Sequence, residues 1–271
     1  MAIFQALSRR MFLSEIGRAT IAVAIFGGLA ACSDDDSALA GEDGSTTADP
    51  APKSSTSPPS ATSTTEPAPQ ATAGLEAVTW RRVSLGFVSA YVLARSGEAV
   101  VVDTGVAGSA PQIEAGLSAI GLGWNDVGHV ILTHLHPDHI GSIGDVLTSA
   151  DAATGYAGAA DIGAIPSPRP LRAVGDGDDV FGLRIIATPG HTAGHISVLD
   201  AVGGLLVAGD AINGEDGGVI GPRPEFTSDM GAAIESAIKL GNLSFDTVVF
   251  GHGDPVEGGA DARVAAMAAG L

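Results

Sequence analysis

Four short apolar runs in this 271-residue chain each end in a glycine or a turn followed by a residue that can bind metal. Short apolar runs bounded by turn residues are typical of buried β-strands. Several strands that end in side chains of the same chemistry constrain the chain to a fold that brings those ends together. The runs and the residues that follow them are 130–132 with His134, 183–187 with His191, 205–208 with Asp210, and 247–250 with His252.

The first run is followed by the densest cluster, in which His134, His136, Asp138 and His139 fall within six residues. Imidazole and carboxylate together suit Zn²⁺ and its neighbours. The spacing of two residues lets His134 and His136 reach one ion, whereas Asp138 and His139 point towards a second ion. The pattern predicts metal-assisted hydrolysis.

This ordered set resembles the signature of the metallo-β-lactamase superfamily, and Asp103 in the early run V-V-D-T-G matches another motif of that family. The resemblance covers residues 75–271. It implies an α/β fold of the αββα type, a sandwich of two mixed sheets flanked by helices. It also implies a ligand set: His134, His136 and His191 for the first metal, Asp138, His139 and His252 for the second, and Asp210 as the bridge.

The resemblance also implies a cofactor and a mechanism. Two Zn²⁺ ions, with iron or manganese as alternatives, would share a water and lower its pKa. The resulting hydroxide would attack a small ester, lactone, thioester or amide. Asp138 is the expected catalytic residue, which orients the hydroxide and shuttles a proton. Asp103 is expected to support the ligands without binding metal itself.

The types of metal-ligand residue indicate which branch of the family the chain resembles. No cysteine lies within residues 75–271, which excludes the β-lactamases with a cysteine ligand. The bridging Asp210 favours relatives of glyoxalase II and the lactonases. Two alternatives stay open: an iron-dependent oxidoreductase similar to persulfide dioxygenases, and a non-catalytic metal-binding lipoprotein.

The remaining candidates have less specific signals. His195 follows His191 by four residues, and a supporting role is favoured over contact with substrate. His129 is expected to be an ordinary residue at the start of a strand. Asp254 is either a partner of His252 or a turn residue before Pro255.

The N-terminal segment is predicted to be a targeting signal that is not part of the folded domain. Arg9 and Arg10 lie in S-R-R-M-F-L, a twin-arginine export pattern. A short apolar stretch then ends in L-A-A-C, a lipobox that predicts lipid on Cys32. We therefore predict a signal peptide over residues 1–32, a Ser/Thr/Pro/Ala-rich tether over 33–74 and the catalytic domain over 75–271. The localisation expected is the outer face of the cell membrane, with the N-terminal lipid as anchor.

The charge composition limits the kinds of molecule that the domain is expected to bind. Residues 75–271 carry 23 acidic and nine basic side chains, a net charge of −14. Binding of nucleic acid usually needs a basic stripe, so the expected partner is a small molecule.

Elements around the site are predicted less sharply. Helices are expected at 111–120, with Ile113, Leu117 and Ile120 on one side, and at 228–240, with Met230, Ile234 and Ile238 at steps of four. Loops 155–170 and 210–226 are expected to form the pocket, with 214–224 as a lid. Tyr156 and Phe226 are the side chains expected to contact an acyl chain.

Overall fold

The structure is a computed structural model that describes residues 74–271. The predicted signal peptide, the lipobox at Cys32 and the tether up to residue 73 lie outside the described residues. Within residues 74–271, every helix is too short or too polar to cross a membrane.

Two six-stranded sheets form the centre of the domain. The first contains β1 Thr79–Ser84, β2 Ser89–Arg95, β3 Glu98–Val102, β4 Val127–Leu132, β5 Thr154–Gly158 and β6 Arg172–Val174. The second contains β7 Asp179–Val180, β8 Leu183–Ala187, β9 Ile196–Asp200, β10 Leu205–Val207, β13 Thr247–Val249 and β14 Val256–Glu257. A separate hairpin pairs β11 Asn213–Glu215 with β12 Gly218–Ile220.

The strand order of the first sheet follows the chain from β1 to β6, whereas the second sheet has the order β14-β13-β10-β9-β8-β7. Both sheets are mixed: β3 to β6 are parallel neighbours in the first, and β10 and β13 are parallel in the second. The helices are α1 Ala110–Ser118, α2 Pro137–Ile140, α3 Ile143–Ser149, α4 Met230–Gly241 and α5 Ala260–Ala268.

Alternation along the strands produces the layers. Val100 and Val102 of β3 pack between the two sheets, whereas Val101 points to the opposite face and packs with α1 and α3. The outer face of the second sheet packs in the same way against α4 and α5. The order helix, sheet, sheet, helix is the αββα sandwich that the sequence predicts, so the predicted fold class is confirmed.

The first predicted helix is confirmed with bounds two residues or fewer from those expected. It is α1, in which Ile113 and Leu117 are fully buried and after which Ile120 packs partly against the same core. The predicted periodicity is correct because this face meets the apolar outer surface of the first sheet.

The second predicted helix, 228–240, is confirmed as α4, but the stripe of Met230, Ile234 and Ile238 is not its buried face. In α4 the buried side chains are those of Ala233, Ser236, Ala237 and Leu240, and Ile238 is exposed. The small side chains of this face let α4 approach the second sheet and α5 closely. This close packing stabilises the helix more than burial of the larger isoleucine side chains would. Spacing alone therefore selected the wrong stripe.

Candidate metal centre

The strands that precede the predicted ligands end at one edge of the sandwich. β3 and β4 are parallel, as are β10 and β13, and β8 has the direction of β10 because β9 is antiparallel to both. The structure thereby brings all seven predicted ligands together in overlapping groups. The groups, each with its ligand atoms within 4.8 Å of one another, are His134, His136 and His191; His134, His139 and Asp210; and Asp138, His139 and His252.

One group consists of three histidines. His136 Nδ1 lies 3.1 Å from His134 Nε2 and 2.9 Å from His191 Nε2. Burial, reinforced by the charge of His139, holds the pKa of His134 well below its usual value. Burial also lowers the pKa of His136 and brings the pKa of His191 to about 4. These rings are therefore neutral at pH 7, the state in which imidazole binds metal.

A second group lies beside the first. Asp138 Oδ2 is 3.3 Å from His252 Nε2 and 3.8 Å from His139 Nε2. Asp210 lies between the groups: its carboxylate oxygens are 3.5 Å from His139 Nε2, 3.5 Å from His191 Nε2 and 3.2 Å from His252 Nε2. This position suits a carboxylate that contacts two cations at once.

Acidic neighbours set the charge of the second group. Burial lowers the pKa of His139, but Asp210 and Asp103 outweigh burial and hold this pKa well above its usual value. Burial is likewise outweighed at His252, where hydrogen bonds to Asp138 and Asp210 raise the pKa to about 10. Without bound metal, the second group therefore holds two cationic imidazoles at neutral pH.

The donor set fits a metal cation. Among the described residues, the buried polar atoms without a hydrogen-bond partner include His139 Nε2 and Asp210 Oδ1, which lie 3.5 Å apart. An unsatisfied buried polar atom costs about 1–3 kcal/mol, so one without a partner calls for an explanation. A divalent cation between these atoms would satisfy both, and imidazole with carboxylate suits Zn²⁺, iron or manganese.

Asp103 orients two of the histidines from behind. Its Oδ2 accepts hydrogen bonds from His139 Nδ1 and from the hydroxyl of Thr133, each at 2.8 Å. The Thr133 oxygen can then accept from His134 Nδ1 at 3.0 Å. Both imidazoles consequently carry a proton on Nδ1 and direct Nε2 into the cluster. Asp103 has a φ of +62°, a left-handed conformation that aspartate tolerates better than most residues.

His195 lies behind Asp210 and is 1% exposed. Its Nε2 accepts a hydrogen bond from the backbone N–H of Asp210 at 3.0 Å, and its Nδ1 lies 2.8 Å from Thr188 Oγ1. Burial lowers the pKa of His195 to about 3, so the ring is neutral and can accept this bond. Its contacts place it in support of Asp210, away from the pocket.

Asp254 is not the partner of His252. His252 Nδ1 donates instead to the backbone carbonyl of Phe87 at 2.8 Å. Asp254 accepts from Arg82 at 2.7 Å, and the same guanidinium donates to the carbonyl of Gly253 at 2.9 Å. Arg82 of β1 therefore fixes the segment that follows His252, a contact between distant parts of the chain that spacing cannot reveal.

A cavity of about 780 Å³ opens onto the metal-ligand cluster. This volume is within the range of small-molecule sites. Its lining combines ligand residues with two phenylalanines and the end of the 210–226 segment. The lining residues are Phe87, His136, Pro137, Asp138, His191, Asp210, Asn213, Arg223, Glu225, Phe226, Thr227, Ser228 and His252.

The predicted pocket segments are half right. Segment 210–226 contributes several lining residues and contains the hairpin of β11 and β12. Arg223, three residues after this hairpin, pairs with Glu215 at 3.1 Å. Segment 155–170 contributes none, and its first four residues belong to strand β5. Tyr156 is 6% exposed and contacts His129 within the first sheet, so its predicted contact with an acyl chain is wrong.

Two functional candidates were missed from the sequence. Phe87 lies in the turn between β1 and β2, where its ring stacks 6.0 Å from that of His252. Asp161 lies just after β5 and is fully buried. The signal for Asp161 was present, since a carboxylate follows this strand as carboxylates and histidines follow its neighbours.

A sandwich of this architecture, with a histidine and aspartate cluster that can bind metal at one edge, defines the metallo-hydrolase class. The chain belongs to the metallo-beta-lactamase superfamily, whose family profile matches residues 83–252. It is 35% identical over 170 residues to metallo-beta-lactamase domain-containing protein 1 of Xenopus laevis, covering 58% of this chain and 66% of that protein. It is 33% identical to the probable metallo-hydrolase MJ0296 of Methanocaldococcus jannaschii, covering 56% and 70%.

Solved structures share the fold. The metallo-beta-lactamase SMB-1, determined in a complex with mercaptoacetic acid, superposes with a TM-score of 0.58 at 22% identity and covers 72% of this chain and 91% of its own. At that identity the likeness concerns the fold.

Proposed function

We propose that this chain is a dinuclear zinc hydrolase that cleaves a small ester, lactone, thioester or amide. The observation that carries the proposal is the position of Asp210 between two ligand groups, with oxygens 3.5 Å from His191 of one and 3.2 Å from His252 of the other. A carboxylate held there by the buried His195 is suited to bridge two cations.

The chain's own residues account for binding and proton handling. Bound zinc would supply Lewis acidity, lowering the pKa of a water and polarising the substrate oxygen. Asp138 lies on the cavity wall. Burial raises the pKa of its carboxyl, but the hydrogen bond from His252 outweighs burial and keeps the pKa below its usual value. When His252 binds zinc, the cation would replace that hydrogen bond and keep Asp138 ionised, so that Asp138 could orient a water and accept its proton.

The rim of the cavity favours a substrate with an apolar acyl group. Phe87 and Phe226 line the cavity and are 66% and 63% exposed. Large apolar side chains exposed together at a cavity mouth are typical of ligand sites. Arg223, the arginine of the lining, is paired with Glu215. These contacts favour an apolar carbonyl compound over a polyanion, in agreement with the net charge of −14 for residues 75–271.

We also propose that the protein acts outside the cytoplasm as a lipoprotein. The support is the sequence around Arg9, Arg10 and Cys32 and the Ser/Thr/Pro/Ala-rich composition of residues 33–74. A polar segment of that composition serves as a spacer between a lipid anchor and a folded domain.

Two measurements on the purified protein, prepared without added histidines, test the enzymatic proposal. Elemental analysis after zinc saturation is expected to give close to two zinc ions per chain. A panel of lactones, thioesters, aryl esters, β-lactams and phosphodiesters is expected to reveal hydrolysis of carbonyl substrates. Asp210→Asn, which keeps the size of the side chain, is expected to lose one metal and to be slower by about 10–100-fold or more.

Each contrary outcome has a defined meaning. Saturation at one zinc ion would overturn the dinuclear proposal. Iron as the dominant metal, with oxygen uptake in place of hydrolysis, would favour the oxidoreductase alternative. A full complement of zinc and no turnover of any substrate class would favour a non-catalytic metal-binding protein.

A further inference from the structure

Asp161 is a buried carboxylate with no role in the proposed chemistry. It is 0% exposed and does not line the cavity. Its hydrogen bonds come from neutral donors, and no lysine or arginine among the described residues pairs with it. A buried carboxylate without a cationic partner is costly, and the hydrogen bonds that offset this cost hold Asp161 in one position.

The three donors to Asp161 come from two separate ligand-bearing segments. Oδ2 accepts from the backbone N–H of Leu135 at 3.1 Å and from the hydroxyl of Thr192 at 2.6 Å. Oδ1 accepts from the backbone N–H of Gly194 at 2.7 Å. Leu135 lies between His134 and His136, and Thr192 directly follows His191. One carboxylate thus joins the two segments that supply the three-histidine group.

The backbone around Asp161 is built to allow this contact. A Cβ at Gly194 would collide with the backbone N of Asp161 and lie 2.7 Å from its Cγ. A Cβ at Gly158, the last residue of β5, would collide with the carbonyl of Gly194. Glycines at both positions let β5 and the 191–195 segment approach within hydrogen-bonding distance.

We propose that Asp161 is a positioning residue that sets the geometry of the three-histidine metal site by tying the 134–136 segment to the 191–195 segment. The inference rests on the proposed metal-binding function. It predicts that loss of Asp161 weakens binding at His134, His136 and His191, while the group of Asp138, His139 and His252 keeps its contacts.

The test compares Asp161→Asn with a matched control, Asp200→Asn, in the full chain. Asp200 is also a buried carboxylate, 1% exposed, but it accepts from Val78 N–H and from Arg95 and has no contact with the ligand segments. Asparagine at 161 keeps the shape but places an amide N–H₂ opposite at least one N–H donor. Zinc binding is followed stepwise against a chelating indicator, and the site geometry by the visible spectrum of the cobalt(II)-loaded protein.

We expect Asp161→Asn to weaken the tighter binding step by about tenfold or more, as for other groups that support metal ligands, and to change the cobalt spectrum. Asp200→Asn is expected to lower the melting temperature of the metal-free protein and to leave both readouts unchanged. An Asp161→Asn protein with the parent's affinities and spectrum would overturn the inference, as would equal losses in both variants.

Thr192→Val provides a second, milder test if Asp161→Asn fails to fold. It removes one donor to Asp161 and keeps the side-chain shape, so a smaller loss in the same binding step is expected. Unchanged affinity and spectrum in this variant would overturn the inference. If the parent protein hydrolyses a substrate and the variants bind metal as it does, only the role of Asp161 is refuted. If the parent protein is inactive and the variants still bind the first metal more weakly, only the hydrolase proposal is refuted.

Discussion

At the scale of single residues, the centre depends on which nitrogen of each histidine carries the proton. Three different partners fix Nδ1–H outside the cluster: Thr133 for His134, Asp103 for His139, and the carbonyl of Phe87 for His252. The three Nε2 atoms thereby face the cluster. His136 differs, because its Nδ1 is the atom that meets His134 and His191.

The two ligand groups differ in protonation before metal binds. The pKa values of His134, His136 and His191 are lowered, so a cation in the three-histidine group displaces no proton at pH 7. The pKa of His139 is raised well above its usual value and that of His252 to about 10, so a cation in the second group must displace a proton from each ring.

This difference predicts two metal-binding steps with different pH dependence. Affinity for the first zinc ion is expected to be nearly constant from about pH 7 to 9, whereas affinity for the second rises with pH because fewer protons must be released. Calorimetric titration of metal-free protein in buffers of different ionisation enthalpy measures the protons released. At pH 7 we expect none for the first ion and at least two for the second, because ionisation of a shared water would add to the protons released by the two histidines. Equal proton release in both steps would contradict this assignment of charge.

At the scale of elements, the strands were predictable and the contacts between loops were not. Each ligand follows a buried strand, and strands of one direction end at one edge, so the sequence around His134, Asp210 and His252 was sufficient to predict the cluster. The role of Asp161 depends on the hydrogen bonds that Leu135, Thr192 and Gly194 donate across the site. Sequence spacing carries no record of such contacts.

Which face of a helix is buried is also only partly predictable from the sequence. Ile113 of α1 was correctly predicted to be buried, because its apolar neighbours leave one reasonable face. In α4, isoleucines and alanines at similar spacing define two competing faces, and the alanine face packs inward. The choice depends on how closely the second sheet and α5 approach, which is a property of tertiary structure.

Two phenylalanines line the cavity: Phe87 from the turn between β1 and β2, and Phe226 from the segment before α4. Phe226→Ala is expected to lower kcat/KM for substrates with long acyl chains by about fivefold, equivalent to about 1 kcal/mol of apolar contact, and to leave short-chain substrates unaffected. Ile238→Ala is the matched control, because Ile238 is exposed on α4 outside the cavity lining. Equal effects on long-chain and short-chain substrates would refute the acyl-contact role. Phe87→Ala is less specific, since its ring also stacks on His252.

At the scale of the whole molecule, the chain divides its tasks along the sequence. All seven ligand-type residues lie between His134 and His252, inside the four-layer sandwich. The described residues therefore account for the metal centre, the cavity and the layers that support them. The export and anchoring proposed for residues 1–73 rest on their sequence alone.

Localisation tests that division. We expect the mature protein to be cleaved before Cys32, to carry lipid on its sulfur and to fractionate with membranes, because a diacylglycerol holds a protein to a bilayer far better than a single acyl chain. Cys32→Ala is expected to abolish lipid labelling and release the protein from the membrane fraction or leave it uncleaved.

Replacing Arg9 and Arg10 by lysine is expected to hold the folded protein in the cytoplasm. Lipid labelling that persists in Cys32→Ala would refute the anchor alone, and normal export of the dilysine variant would refute the twin-arginine route alone. The intact mass of the mature N-terminus measures the cleavage site directly.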